Sequence, residues 1–455
     1  MLTQTHINEK KNDSIDKRLN ELQYKIIVLD DDPTGTQTVK DLPVYTEWTE
    51  EWIEDGFLQS NNMFYILTNS RALNEEETKI LHHEVSANIQ SVSKKLNHPY
   101  LIISRGDSTL RGHFYLEPKV LSESADQVFD AVFYIPAFFE GHRYTFNGVH
   151  YLKENEAYIP VSESEFANDT TFGFNSKSMK AFINEKSKNT INIEDIYHIS
   201  LDLLRKRDKT AIHALFNELS HFDQVVVDAV NDEDMDFFVS CLTSYLLEHD
   251  KRFIFRTAAS FVKAICETPG EMINLRSYEE NQHGGMIVVG SHVKKSSEQL
   301  EYLLNHTQIK GIEFDVKEVI KPSLPLYIIE MTEKVESYIE NGQDVVIYTS
   351  RDVIRTEDLQ NNLSISTTIS NSLVTIVSHL KIQPKFIIAK GGITSSDVAT
   401  KGLQIKKATV VGQITQGVPV WLTGKEAKYH HMPYVIFPGN VGEASTLSEV
   451  YELNK

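Results

Sequence analysis

Two cysteines in 455 residues, Cys241 and Cys266, leave no basis for a disulfide framework or a cysteine-rich zinc site. They read as buried thiols of a reduced compartment. No apolar run approaches the roughly 20 residues that cross a bilayer. The opening stretch MLTQTHINEKKNDSIDKRLNELQY is polar and charged, without the apolar core of a signal peptide. These absences lead us to expect a cytoplasmic protein with no membrane partner. Cations are also short: 45 Lys and Arg face 64 Asp and Glu, a net charge of −19. That balance argues against a nucleic-acid partner. It also gives weight to any arginine cluster, because an acidic protein that binds an anion must gather its cations locally.

Familiar signatures are missing as well. There is no G-x-x-x-x-G-K-[ST] and no G-x-G-x-x-G, so neither a P-loop nor a Rossmann fingerprint applies. His82-His83-Glu84 lacks the H-E-x-x-H spacing and reads as a solvated helix face. Asn231-Asp232-Glu233-Asp234 lacks the glycine and terminal glutamate of an EF-hand loop and reads as a polar helix start. Lys294-Lys295 reads as an exposed pair in preference to a pair that helps hold triphosphate. No internal repeat or low-complexity tract is present.

What the chain does have is a recurring pattern. Short apolar runs such as IIVL (26–29), MFYIL (63–67), YLIIS (100–104), AVFYI (131–135) and RFIFR (252–256) are each followed by a polar loop and a helical pattern. MIVVG (286–290), DVVIY (344–348), KFIIA (385–389) and YVIF (434–437) continue it. Near-continuous apolar runs suit strands covered on both faces. Stretches 75–95, 332–341 and 367–380 suit crossover helices. The expected fold is α/β: two domains, each a largely parallel sheet flanked by helices. The polar segment Glu267–Gly285 marks the boundary. Residues 1–24 form a polar extension, 25–275 the first domain and 284–455 the second. The long polar stretch Pro160–Asn192 reads as a lid or an excursion from the first sheet.

Ligands of open α/β sheets bind outside the carboxyl ends of the strands. Four such ends in the first half carry polar clusters. They are Asp30-Asp31-Asp32-Pro33-Thr34-Gly35, Thr68-Asn69-Ser70-Arg71, Ser104 to Gly112 (SRGDSTLRG) and Pro136 to Arg143 (PAFFEGHR). Asn74 with Glu77 resembles a capping box. Carboxylates accept hydrogen bonds from sugar hydroxyls, and arginines give bidentate bonds to a carboxylate. The combination fits a small polyhydroxy acid, with Arg71, Arg105, Arg111 and Arg143 as candidates for its carboxylate. A rival reading takes Asp30 and Asp32 as the D-x-D-x-T pair of a haloacid-dehalogenase-type phosphatase. Gly35 after the threonine, and Arg111 where a metal-binding acid is wanted, count against it.

The second half supplies glycine-bearing turns at strand ends: Gly290-Ser291-His292, Gly391-Gly392-Ile393-Thr394 and Gly439-Asn440-Val441-Gly442. Exposed backbone N–H groups at such turns cradle phosphate, and glycine lets the backbone approach a ligand. Three of them beside a sugar-acid domain point to ATP.

Together these residues resemble the four-carbon acid sugar kinase family, long described as a domain of unknown function. The matching motifs are DD-x-TG (Asp31 to Gly35), Asn69-Ser70-Arg71, DSTLRG (Asp107 to Gly112) and PAFFEGHRYTFNGVHY (Pro136 to Tyr151). In the second half they are Gly290-Ser291, GG-x-TS (Gly391 to Ser395) and GN-x-G (Gly439 to Gly442). The resemblance implies an acid-sugar domain, a nucleotide domain and catalysis in a cleft between them. It implies transfer of the ATP γ-phosphoryl group to the terminal hydroxyl of threonate, erythronate or a 3-oxo-tetronate. Carried over by motif, acid contacts fall on Asp32, Arg71 and the loop Arg105, Gly106, Asp107, Ser108 and Thr109. ATP contacts fall on Ser291, Gly391, Gly392, Ile393, Thr394 and Gly439, and we add Gly442 from its own glycine turn. Asp32, with Asp31 beside it, is the expected base and Asp107 the second choice. Mg²⁺ is expected to bridge the phosphates, its protein ligands being undetermined. A non-catalytic sugar-acid sensor and a homodimer are both options that the sequence leaves open.

Overall fold

The computed structural model describes residues 21–453, except 127, 267, 279–280, 292, 352–358 and 440 and the side chains of 359–364 and 366. Residues 1–20 of the expected extension, His292 and Asn440 therefore lie outside the described residues. The chain divides into two compact units. One comprises residues up to Thr38 together with Glu47–Pro269; the other comprises Val39–Thr46 and Gly270–Lys455. A short early segment thus belongs with the second half of the chain.

The first half forms β1 (Lys25–Asp30), β2 (Leu42–Tyr45), β3 (Met63–Leu67), β4 (Tyr100–Arg105), β5 (Ala131–Ile135), β6 (Arg143–Phe146), β7 (Val149–Glu154), β8 (Ala157–Pro160), β9 (Tyr197–Ile199), β10 (Asp223–Val227) and β11 (Phe253–Thr257). In the first unit the sheet runs β3-β1-β4-β11-β5-β10-β9, every neighbouring pair parallel. Side chains of β1, β3 and β5 are buried along their whole length, as their unbroken apolar runs predict for strands covered on both faces. The crossover helix Glu75–Leu96 opens on a capping box: Asn74 accepts from the N–H groups of Glu76 and Glu77, and Glu77 accepts from the N–H of Asn74. Asn231 caps the helix Asp232–Leu246, its side chain accepting from the N–H of Asp234. A separate antiparallel sheet, β6-β7-β8, follows β5 and had no strand signal strong enough to predict. The Pro160–Asn192 stretch holds short 3₁₀ turns and the helix Met179–Lys186.

The second half forms β12 (Met286–Val289), β13 (Lys310–Phe314), β14 (Val345–Thr349), β15 (Ile387–Lys390), β16 (Lys407–Thr415), β17 (Val418–Thr423) and β18 (Pro433–Phe437). Here β13-β14-β12-β15-β18 are parallel, and β17, β16 and β2 extend the sheet antiparallel. The parallel expectation holds for the part that carries the glycine turns. Helices Lys294–His306, Leu324–Glu340 and Leu359–His379 cover this sheet. Ile287, Val289, Leu300, Leu303, Val435 and Leu447 belong to its buried core.

Candidate functional site

In the first unit the chain leaves β1 for β3 on one side and reaches β4 on the other, so β1 is the point where strand order reverses. A crevice at carboxyl ends is expected there. The register places Asp30 beside Leu67 of β3 and Arg105 of β4. Three of the four polar clusters therefore meet on adjacent strands. The fourth, after β5, is separated from β4 by β11.

The three aspartates have different surroundings. Asp30 is 1 % exposed, and its Oδ1 lies 3.3 Å from Arg105 Nη1. Its Oδ2 has no partner, and a Cβ on Gly35 would lie 1.8 Å from it. Burial pushes its carboxyl up to about 7, only partly offset by Arg105. A phosphatase nucleophile must reach solvent; Asp30 is sealed beneath Gly35, which removes the geometric basis for that reading. Asp31 is equally buried. Its Oδ1 accepts from Arg71 Nη2 at 2.6 Å, and its Oδ2 lies 3.7 Å from Arg256 Nη2. Asp32 caps the turn Pro33–Thr36, with Oδ1 accepting from Thr34 N at 2.8 Å and Thr34 Oγ1 at 2.6 Å. Its Oδ2 is 3.4 Å from Arg71 Nη1, and its side chain is 17 % exposed. Burial works to raise its carboxyl, but Arg71 and the two Thr34 bonds outweigh it and hold Asp32 below the usual carboxylate range. Of the three, Asp32 is the ionised acceptor that a ligand can reach.

The DSTLRG loop closes on itself. Asp107 Oδ2 accepts from Arg111 Nε at 2.7 Å and from Thr109 Oγ1. Burial raises the Asp107 carboxyl, but Arg71, Arg111 and Thr109 hold it well below the ordinary value. His150 Nε2 donates to the Ser108 carbonyl at 2.8 Å, which leaves Nδ1 to accept from Thr145 Oγ1 at 2.8 Å. Burial lowers the His150 imidazole to about 4, so it stays neutral and ties the hairpin β6-β7 to this loop. Gly106 carries no side chain because a Cβ there would lie 2.3 Å from Arg256 Nη2. Gly112 has φ +101, and a Cβ would lie 2.9 Å from Asp31 Oδ2.

Two members of this network escaped the sequence reading. Arg256, within β11, is 1 % exposed. Its Nη1 donates to Ser104 Oγ at 2.8 Å and to Glu117 Oε2. Glu117 also accepts from Ser70 Oγ at 2.7 Å and Ser104 Oγ at 2.9 Å. Burial raises its carboxyl, but Arg256 leads the opposing interactions and brings it to about 2. The pair sits behind the strand ends and joins the clusters of β1, β3 and β4. His82 faces it, with Nε2 3.9 Å from Glu117 Oε2 and no exposure. The expectation of a solvated His82 is thus corrected: one side of its helix packs onto Glu117, and only His83 and Glu84 are exposed.

In the second unit β12, β15 and β18 lie side by side, with Val289, Lys390 and Phe437 in register. Their following turns carry Gly290-Ser291, Gly391 to Thr394 and Gly439. A cavity of about 330 Å³ is lined by Gly290, Ser291, Gly391, Gly392, Ile393 and Thr394 on one side and Ile369, Ser370, Leu373, Val374 and Val398 on the other. That volume lies at the lower end of small-molecule sites, about 300–1,000 Å³. Gly391 has φ +112, which an L side chain rarely adopts. Around Gly439 a Cβ would find its nearest neighbours at 3.6 Å or more, so nothing among the described residues requires glycine there. Gly442 is explained by the chain itself: φ is +81 and a Cβ would lie 2.6 Å from Thr446 Oγ1.

Two cations at this site were also missed. Lys390 is fully buried; its Nζ donates to the Pro438 carbonyl at 2.6 Å and lies 4.2 Å from the Phe437 ring centroid. Burial, and then Lys295, lower its ammonium to about 7. Lys294 is 91 % exposed as expected, but Lys295 is only half-buried and close enough to Lys390 to act on it. Arg351, just past β14, donates to the Ser291 carbonyl at 2.7 Å, and among the described residues its Nη2 has no partner. Among the described residues no group of three His, Cys, Asp or Glu is placed to hold a metal ion.

A second cavity of the same volume lies at the amino ends of β4 and β11. Its cations are engaged within the chain: Lys94 with Asp126, Lys251 with Asp130, and Arg252 over Phe129. No helix among the described residues is long and apolar enough to cross a membrane.

Comparison with known proteins agrees with this division. A family model described as a sugar-binding N-terminal domain matches residues 26–265, and one described as a nucleotide-binding C-terminal domain matches 286–447. No curated protein matches the chain. Among solved structures, the Haemophilus influenzae protein HI1011, of the DUF1537 family, is 15 % identical. The match covers 94 % of this chain and 99 % of that one, with a TM-score of 0.63. A Salmonella typhimurium LT2 protein carrying the provisional description of a tRNA synthase is also 15 % identical, with the same coverage and a TM-score of 0.68. At that identity the two structures speak for the fold alone, while the paired family models span both halves. The chain belongs to the four-carbon acid sugar kinase family, with a sugar-binding first domain and a nucleotide-binding second domain.

Proposed function

We propose that this protein is an ATP-dependent kinase that phosphorylates the terminal hydroxyl of a four-carbon sugar acid of the threonate, erythronate or 3-oxo-tetronate type. One observation carries the reading: Asp32, ionised and reachable, stands among arginines at the strand-order reversal of a sugar-binding domain. Asp32 accepts the hydroxyl that attacks phosphorus and aims it. Its depressed proton affinity makes it a weak base, but phosphoryl transfer asks mainly for positioning and charge stabilisation. Arg71, held by Asp31 and Asp32, keeps that carboxylate in place. The glycine turns of the second domain offer backbone N–H groups to the phosphates, and the apolar wall of Ile369, Leu373 and Ile393 suits a purine. Arg351 supplies positive charge beside those turns, and Lys390, lowered to about 7, is a cation there only when protonated. Magnesium, if bound with the nucleotide, would neutralise phosphate charge. Asp32 is the candidate protein ligand.

The test is a coupled ADP-release assay with ATP and a panel of four-carbon acids. Acid-dependent ADP release is expected. Phosphate release from phosphorylated acids without nucleotide would favour a phosphatase. Acid binding without either reaction would favour a sensor.

A further inference from the structure

The arginines of the first unit are matched to carboxylates almost one for one. Arg71 is held by Asp31 at 2.6 Å, Arg105 by Asp30 at 3.3 Å, Arg111 by Asp107 at 2.7 Å, and Arg256 by Glu117. A ligand carboxylate that reached those guanidinium groups would share them with an acid already seated there. Arg143 differs. Among the described residues no carboxylate forms an ion pair with it. Its Nη1 donates to the Gly141 carbonyl, and its buried Nε has no partner. On the acidic side, Asp32 has no arginine of its own and shares Arg71 with Asp31.

We infer that Arg143 binds the carboxylate of the substrate while Asp32 takes its hydroxyl end, so that the site reads a monocarboxylate in one direction. This rests on the proposed kinase reading, and it singles out one of the four candidate arginines. The backbone fixes where Arg143 begins: Arg143 N donates to the Phe138 carbonyl at 2.9 Å, and Phe138 N to the Arg143 carbonyl at 3.1 Å. Gly141 leaves room for the guanidinium, since a Cβ there would lie 2.7 Å from Nη1. The His150 bond to Ser108 ties the same hairpin to the loop of Asp107. Asp107 is the common neighbour, acting electrostatically on Arg71 from one side and on Arg143 from the other. Burial destabilises the Arg143 cation, with Asp107 opposing and Arg111 adding to the effect. A half-buried guanidinium whose Nε is covered and which has no counter-ion among the described residues gains from an arriving anion. A neutral polyol of the same length would leave it unpaired.

The experiment compares wild type, Arg143→Gln and Arg143→Lys on erythronate and threonate, and on the neutral tetritols erythritol and threitol. Arg143→Gln is expected to raise the KM for the acid about 10- to 100-fold, the scale of a lost charge-assisted bond. KM for ATP and Tm should hold, and the preference for acid over tetritol should fall to a few-fold. Arg143→Lys keeps the charge without the planar fork and should recover only part of the affinity. Should the glutamine variant fail to fold, an unchanged acid KM in the lysine variant overturns the assignment. So does a folded Arg143→Gln that keeps its acid preference. If wild type releases no ADP with any acid, the kinase reading fails, and calorimetry of erythronate binding still judges Arg143. Binding abolished by Arg143→Gln upholds the assignment, and binding unaffected by it, or absent in wild type, ends it.

Discussion

Glycines crowd both sets of strand ends, yet they serve opposite purposes. In the first unit Gly35, Gly106 and Gly112 each make room for a charged side chain of the protein: Asp30, Arg256 and Asp31. The recognition surface there is a lattice of carboxylates and guanidinium groups, and the glycines let it close. In the second unit Gly439 has ordinary clearance on all sides, and Gly391 and Gly392 border an open cavity. Gly439 and Gly392 leave room for something outside the chain, while Gly391 borders the same cavity but is also required by its own backbone, with φ +112. A sugar acid offers hydroxyls and a carboxylate, which side chains read; a triphosphate offers oxygens, which backbone N–H groups read. The comparison teaches that the same residue type should fail differently in the two units.

The largest expected effect is at Asp32. Asp32→Asn keeps an oxygen that can accept from Thr34 and should still fold, with a modest drop in Tm from the lost pairing with Arg71. It removes the ionised acceptor, and turnover in the ADP-release assay should drop at least about 10²-fold. Turnover near that of wild type would take Asp32 out of the mechanism and leave the charged lattice without its reachable member.

The next effect comes from two buried titrating groups of opposite kind. Asp30 in the first unit is raised from 3.8 to about 7 by burial, and Lys390 in the second is lowered from 10.5 to about 7, also by burial. Between pH 4 and 7 the folded chain keeps the Asp30 proton that the unfolded chain has lost, so this group makes stability fall as pH rises. Between pH 7 and 10 the unfolded chain holds the Lys390 proton that the folded chain lacks, so that group makes stability rise with pH. One pH unit of either window is worth about 1.4 kcal/mol at most. By calorimetry, the Tm of Asp30→Asn relative to wild type should climb between pH 5 and 7. That of Lys390→Met should decline between pH 7 and 9. A flat difference for Asp30→Asn would mean that Arg105 cancels the cost of burial.

Much of this contrast was legible in the sequence. The unbroken runs of β1, β3, β4, β5, β12, β15 and β18 announce strands buried on both faces, and the loops after them hold the candidate residues. Other elements gave weak signals for physical reasons. In β13, Lys310-Gly311-Ile312-Glu313-Phe314 lies at a sheet edge and buries only Ile312 and Phe314. Strand β9 has three residues, too few for any period to show. The hairpin β6-β7 is only partly buried and exposes polar side chains. Glu117 was invisible because it lies inside a helix, whereas Arg256 closes the run RFIFR at the carboxyl end of β11 and was within reach of the strand-end rule; only space brings the two together. Arg351 was within reach: Thr349-Ser350-Arg351 follows an apolar run as Thr68-Asn69-Ser70-Arg71 does, and the same rule would have found it. Which arginine lacks a carboxylate cannot be read from sequence, because pairing depends on residues tens of positions away.

The sharpest form of the comparison, and a smaller effect, is a pair of glycine-to-alanine changes. Gly106→Ala places a Cβ against a buried guanidinium that is bound to Ser104 and Glu117 and cannot swing to solvent. It should cost about 1–3 kcal/mol as overpacking and lower Tm. Gly439→Ala adds the same methyl where the nearest neighbours, Val293, Ser291 and Ser296, are already at van der Waals distance, so Tm should stay within a degree or so of wild type. If phosphate approaches that backbone, the methyl stands in its way, and the affinity for ATP measured by calorimetry should fall about tenfold, some 1.4 kcal/mol. Affinity for the acid should not change. A Gly439→Ala protein that binds ATP as wild type does would show that this turn leaves room for nothing, and the contrast between the two kinds of glycine would then rest on Gly392 alone.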